Sequence, residues 1–208
     1  MTPSELLDSR IWEISNPFSS GGSLWGLKIS KVVLEKTPRH MDGVTAITEM
    51  KEAEFSQWRA TEWQGFYFEF KVRPQLINLL GGGPKKVGST SFDYALERTW
   101  DMKVHSSETR HGKVSASNCL LNDAASMELA AKEGGVGLMI LSGIPTYDWD
   151  FTRWHKKFRS GSVEEPKKPL KKSFDPERID FFYIPTLSRL EEALETGELS
   201  YFKQGHQP

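Results

Sequence analysis

Hydrophobic and polar positions change period several times along this chain of 208 residues, and each change marks an element. Behind the turn-rich NPFSSGGS at 16–23, the run LWGLKISKVVLE at 24–35 is rich in β-branched residues and reads as a strand. TPRHMDG at 37–43 breaks the chain again. Between 48 and 71 the aromatic residues Phe55, Trp58, Trp63, Phe66 and Phe70 fall mostly three or four apart. That spacing predicts one helix with an aromatic face, closed by Pro74 and the run Gly81-Gly82-Gly83-Pro84. From 91 to 106, SFDYALERTWDMKVHS alternates between apolar and polar, as a tight pair of strands does.

The pattern then returns to helix. LLNDAASMELAAKEGG at 120–135 offers Asn122 or Asp123 as N-cap and Gly134 and Gly135 as the stop. VGLMILSGI at 136–144 is continuously apolar, which predicts a strand covered on both faces and paired in parallel with the second hairpin strand. A right-handed crossover would link those two. A strand at 179–185 and a helix at 186–197 complete the chain. The expected class is α/β, with helices on both faces of a mixed sheet, in one domain.

Composition changes this picture little. At 38% hydrophobic and 26% charged the chain is an ordinary globular one, long enough for a core without metal or disulfide staples. The single Cys119 has no internal partner, no apolar run approaches membrane-spanning length, and MTPSELLDSR lacks the character of a signal peptide. A cytoplasmic location is expected. Net charge is −1, but residues 153–172 carry net +6 against −7 for the rest. A basic segment on an acidic body is a candidate element for tracking phosphates, through Lys156, Lys157, Arg159, Lys167 and Lys168, with His155 beside them. A solvated Lys-rich loop is the plainer alternative.

Four acid-x-Lys triplets occur: Glu49-x-Lys51, Glu69-x-Lys71, Asp101-x-Lys103 and Glu165-x-Lys167. With 28 acids and 17 lysines chance supplies some of them, so context must choose. Only Asp101-x-Lys103 lies in a strand whose other face, Trp100, Met102 and Val104, is wholly apolar. Period two puts Asp101 and Lys103 side by side, and Asp93 stands one strand back. Two carboxylates held this close raise each other's pKa unless a cation lies between them. Mg²⁺ needs only one or two carboxylates plus waters and phosphate oxygens, so the pair suffices as its anchor. A neighbouring ammonium can orient an attacking water.

This arrangement constrains the hairpin. A two-residue turn at Glu97-Arg98 would pair Leu96 with Thr99 and place Asp93 opposite Met102, on the wrong face. A three-residue connection or a bulge between 95 and 100 is therefore expected.

Asp93, followed by Asp101-Met102-Lys103 on the adjacent strand and then by a helix and a buried strand, resembles the PD-(D/E)XK nucleases, in particular type II restriction endonucleases. The resemblance covers about residues 48–145, with Phe92 in place of the proline of the family's name. It implies a restriction-endonuclease-like sheet, with Asp93, Asp101 and Lys103 catalytic. It further implies Mg²⁺ on Asp93, Asp101 and the Met102 carbonyl, cleavage of double-stranded DNA to 5′-phosphates, and a homodimer. An acid from the preceding helix often joins the set; Glu69 and Glu62 are both open. His105 continues the polar face of the second strand. Two other readings stand beside this one: a repair or junction-resolving nuclease, and a DNA-binding protein that keeps the fold without the chemistry. The run from Gly83 to Thr90 lacks the lysine of a phosphate-binding loop at position 89, which excludes nucleotide hydrolysis of that type.

Overall fold

The computed structural model describes residues 24–115, 119–121 and 123–201. The turn at 16–23, the N-terminal segment and Asn122 lie outside the described residues, as does the side chain of Cys119.

The first described element corrects the sequence reading. Leu24–Lys36 is a helix, α1, not a strand. Ile29, Val32 and Val33 are buried while Lys28, Lys31 and Glu35 are exposed. That is a three-four spacing, and packing of this stripe against the long helix further on outweighs the β preference of branched side chains.

After a two-residue strand, β1 (Met41–Asp42), comes α2 (Gly43–Glu52), capped by Asp42, whose carboxylate accepts from the Thr45 N–H at 2.9 Å. The single helix expected across 48–71 is in fact two. α2 stops at Glu52, Glu54 turns the chain at a φ of 54°, and α3 (Trp63–Leu80) begins afresh. Phe55 and Trp58 occupy the connection, where Phe55 packs edge-on to Phe70 and Trp58 to Phe158. Pro74 does not end the second helix. It lies inside α3, which runs on to Gly81, whose N–H caps Ile77.

The rest of the chain alternates strands and helices: β2 (Gly83–Val87), β3 (Thr90–Ala95), β4 (Thr99–Ser106), β5 (Cys119–Leu121), α4 (Ala124–Lys132) and β6 (Val136–Asp148). There follow α5 (Trp149–Ser160), β7 (Leu170–Ile184), α6 (Leu187–Glu195) and β8 (Leu199–Tyr201). Six strands form a mixed, mostly antiparallel sheet in the order β1-β7-β6-β4-β3-β2, in which β4 and β6 are the parallel pair. β5 and β8 form a separate parallel pair.

The sheet separates two apolar layers. Trp100 and Met102 of β4 with Met139 and Leu141 of β6 pack under α1, α2, α3 and α5. Val136, Leu138 and Ile140 pack under α4 and α6. β6 therefore feeds both layers alternately, which is why its sequence reads as one unbroken apolar run. Gly137 is required in it: a Cβ there would fall 2.1 Å from the Trp100 ring. Among the described residues no helix is long and apolar enough to cross a membrane.

Candidate active site

The β3–β4 hairpin has the odd connection that the sequence demands. Ala95 pairs with Thr99 and Tyr94 with Trp100, leaving Leu96, Glu97 and Arg98 as a three-residue link. One step further, this register sets Asp93 across from Asp101. There the two strands part. The Asp93 carboxylate enters the opening and accepts a hydrogen bond from the Met102 N–H at 2.7 Å. A residue's N–H and C=O emerge on the same side of a strand, so the Met102 carbonyl also faces the Asp93 side. Lys103 Nζ lies 2.7 Å from the Asp101 carboxylate, with both side chains largely covered.

Helix α3 closes one wall of this fork and α4 the other. The cleft between them encloses about 630 Å³, and Glu69, Asp93, Asp101 and Lys103 line it together. Glu62 also reaches the cleft but is engaged at its rim, where Lys171 donates to it at 2.8 Å. Glu69 is the acid that faces the aspartates. Burial raises its pKa, the paired Arg73 opposes that rise, and Asp101 adds to it. The rival triplet Glu69-x-Lys71 thereby splits: Lys71 turns to Glu49 at 3.0 Å, because positions two apart on a helix face different ways.

Asp93 carries the electrostatic stress. Burial drives its pKa well above the usual carboxylate range, and the charges of Asp101 and Glu69 push it further up, against the one backbone N–H that favours ionisation. Among the described residues no three Asp, Glu, His or Cys side chains form a ready cage for a cation. The fork offers a clashing pair of carboxylates, a donor set of oxygens that suits a small hard cation keeping most of its waters.

Two cleft residues have no counterpart in the sequence reading. Arg178 and Asp180 of β7 line the same cavity. Lys103 is in register with Ile140 and Ile140 with Asp180; His105 is in register with Ser142 and Ser142 with Arg178. Both rows thus share a face of the sheet. The available signal was the alternation of polar Arg178 and Asp180 with apolar Ile179 and Phe181.

The basic segment is divided among α5, the loop that follows it and the start of β7, which holds Lys171 and Lys172. Lys157, Lys167 and Lys168 are exposed and make no ion pair among the described residues. Lys156 pairs with Glu164 at 3.0 Å, and Arg159 leans on the Arg59 carbonyl. His155 departs from the expectation of a DNA contact. It is 1% exposed and stacked beside Phe151, so no phosphate can reach it. Burial, with Arg159 nearby, lowers its pKa to about 4.

Comparison with known proteins gives no match, whether with family models, curated proteins or solved structures.

Proposed function

We propose that this protein is a Mg²⁺-dependent endonuclease of the PD-(D/E)XK type, acting on double-stranded DNA as a type II restriction enzyme and leaving 5′-phosphates. One observation carries the reading. A three-residue hairpin link sets Asp93 against Asp101, and Asp101 against Lys103, at the mouth of a cleft where Asp93 is held under electrostatic stress. A surface hairpin has no reason to bury clashing carboxylates, whereas a cation site does.

In this reading Asp93 and Asp101 hold Mg²⁺, with the Met102 carbonyl as a further ligand. When bound, the ion polarises the scissile phosphate and acidifies a water. The Asp101 carboxylate anchors the Lys103 ammonium, which orients that water and offsets the negative charge gathering on the phosphate. Glu69 supports the same centre from α3. Lys157, Lys167 and Lys168 supply sequence-independent contacts to the backbone. Cutting both strands of a palindrome calls for two copies related by a two-fold axis, so the working unit is a homodimer in the cytoplasm.

The test is incubation of the purified protein with mixed plasmid DNA and Mg²⁺. Discrete fragments, lost on chelation and in Asp101→Ala and Lys103→Ala, support the proposal. No cleavage under any divalent ion, or full cleavage by both variants, overturns it.

A further inference from the structure

The charged lining of the cleft is mostly acidic: Glu62, Glu69, Asp93, Asp101, Asp123 and Asp180 all face it. A polyanion entering such a space needs fixed cations. Among the described residues lining it, Lys103 and Arg178 are the two Lys or Arg side chains, and Lys103 is committed to Asp101. Arg178 is placed differently. Its Nε donates to the Asp180 carboxylate at 2.7 Å, while its side chain keeps 48% of its exposure. Asp180 itself is 3% exposed. A buried carboxylate thus fixes the planar guanidinium by one edge, and among the described residues neither Nη group is hydrogen-bonded, which leaves both for a ligand. That fork geometry matches the paired oxygens of a phosphodiester, and pinning it beforehand lowers the ordering cost of binding.

We infer that Arg178 is a substrate-binding residue of this cleft, gripping a DNA phosphate near the scissile one, with Asp180 as its positioning residue. The inference rests on the nuclease reading. Two strand spacings, from β4 through β6 to β7, put about 10 Å between the strand of Asp101 and Lys103 and the strand of Arg178, which corresponds to about three nucleotides at about 3.4 Å of rise each. The contacted phosphate lies within that distance of the cut. Arg178 is half-exposed, so its replacement leaves the core intact, whereas replacing Asp180 would strand the arginine.

The test uses the full chain and a duplex carrying its cleavage site, with a neutral methylphosphonate placed at successive positions around the cut. Arg178→Gln is expected to raise KM about tenfold with kcat within about threefold, and to reduce the salt slope of DNA binding by about one. Arg178→Lys keeps the charge and recovers part of the loss. One methylphosphonate position is expected to impair the wild type about tenfold and to leave Arg178→Gln unaffected, a non-additivity that a purely structural ion pair cannot produce. Wild-type KM and salt slope in Arg178→Gln, or additive losses at every position, overturn the inference and leave the nuclease reading standing. A wild type that cuts no duplex overturns both.

Discussion

Asp93 and Asp123 line one cleft and live in opposite electrostatic conditions. Asp123 caps α4 and is surrounded by donors: Ser89 in the turn before β3, Thr90 at its start, and both the hydroxyl and the N–H of Ser126. Those hydrogen bonds, led by Ser89, hold its carboxyl far below the ordinary aspartate range. Asp93 has one backbone donor against burial and two neighbouring acids, and its carboxyl is held far above that range. The same side chain is therefore a finished structural joint in one place and an unfinished site in the other. Polar character in a cleft is a weak guide to function; a charge that its own protein fails to satisfy is a strong one.

The largest effects separate the two aspartates by activity. Asp101→Ala, Asp93→Ala and Lys103→Ala are each expected to cut Mg²⁺-dependent cleavage by at least about 1000-fold, a loss of about 4 kcal/mol of transition-state stabilisation. In Ca²⁺, which occupies such a site without efficient turnover, Lys103→Ala should keep metal-stimulated DNA binding while the two aspartate variants lose it. Titrating binding with Ca²⁺ checks this; stimulation retained in Asp101→Ala would remove the pair as the metal anchor.

His155 asks what burial does to a charge opposed by a single neighbour, Arg159, in place of two acids. Its folded pKa lies below its unfolded value of about 6.5, so the unfolded chain takes up its proton first as the medium acidifies. Stability should be full above pH of about 6.5 and fall between there and about 4, by up to about 3 kcal/mol. Urea denaturation across that window, compared with His155→Phe, measures it. A parallel decline in both proteins would assign the acid sensitivity elsewhere.

Asp93→Asn keeps the shape and removes the charge. The folded pKa is raised, so the wild type loses stability as pH climbs from the ordinary aspartate value toward the elevated one. The asparagine variant escapes that loss and should be more stable at neutral pH by about 1–2 kcal/mol, although inactive. Mg²⁺ should raise the melting temperature of the wild type and not of the variant. A variant less stable than the wild type without metal would mean that Asp93 is already satisfied, as Asp123 is.

Asp123→Ala should do the reverse at the smallest scale. Loss of the helix cap is expected to lower the melting temperature by a few degrees, with cleavage per folded molecule kept within about threefold. A large fall in kcat at full folding would move Asp123 from the scaffold into the chemistry.

What the sequence makes legible follows from how local each cause is. Side-chain alternation and turn parity act over a dozen residues, so the placing of Asp93, Asp101 and Lys103 together could be argued from 91–106 alone. The same holds for the two-sided strand at 136–144 and for a cap at 122 or 123, of which Asp123 is the one seen. The choice of Glu69 over Glu62 needed the angle at which α3 meets the fork, and Arg178 is brought in only by the adjacency of β4, β6 and β7. The errors share one origin. Branched residues at 24–35 and aromatic spacing across 48–71 are local preferences, and they were overruled by the stripe that packs on α3 and by the turn at Glu54. His155 looked basic and available because its neighbours in sequence are; the helix turns it inward.

The pairing on either side of the 96–98 link decides where this gene can change length. Surface loops ordinarily absorb small insertions and deletions with little penalty. The link should do so too, because β2 holds β3 and β6 holds β4 in register whatever its length. One codon gained or lost in the arms, between Asp93 and Ala95 or between Thr99 and Asp101, would instead turn one of the two carboxylates to the opposite face. Length variation should therefore be inherited at the tip and not in the arms that flank it.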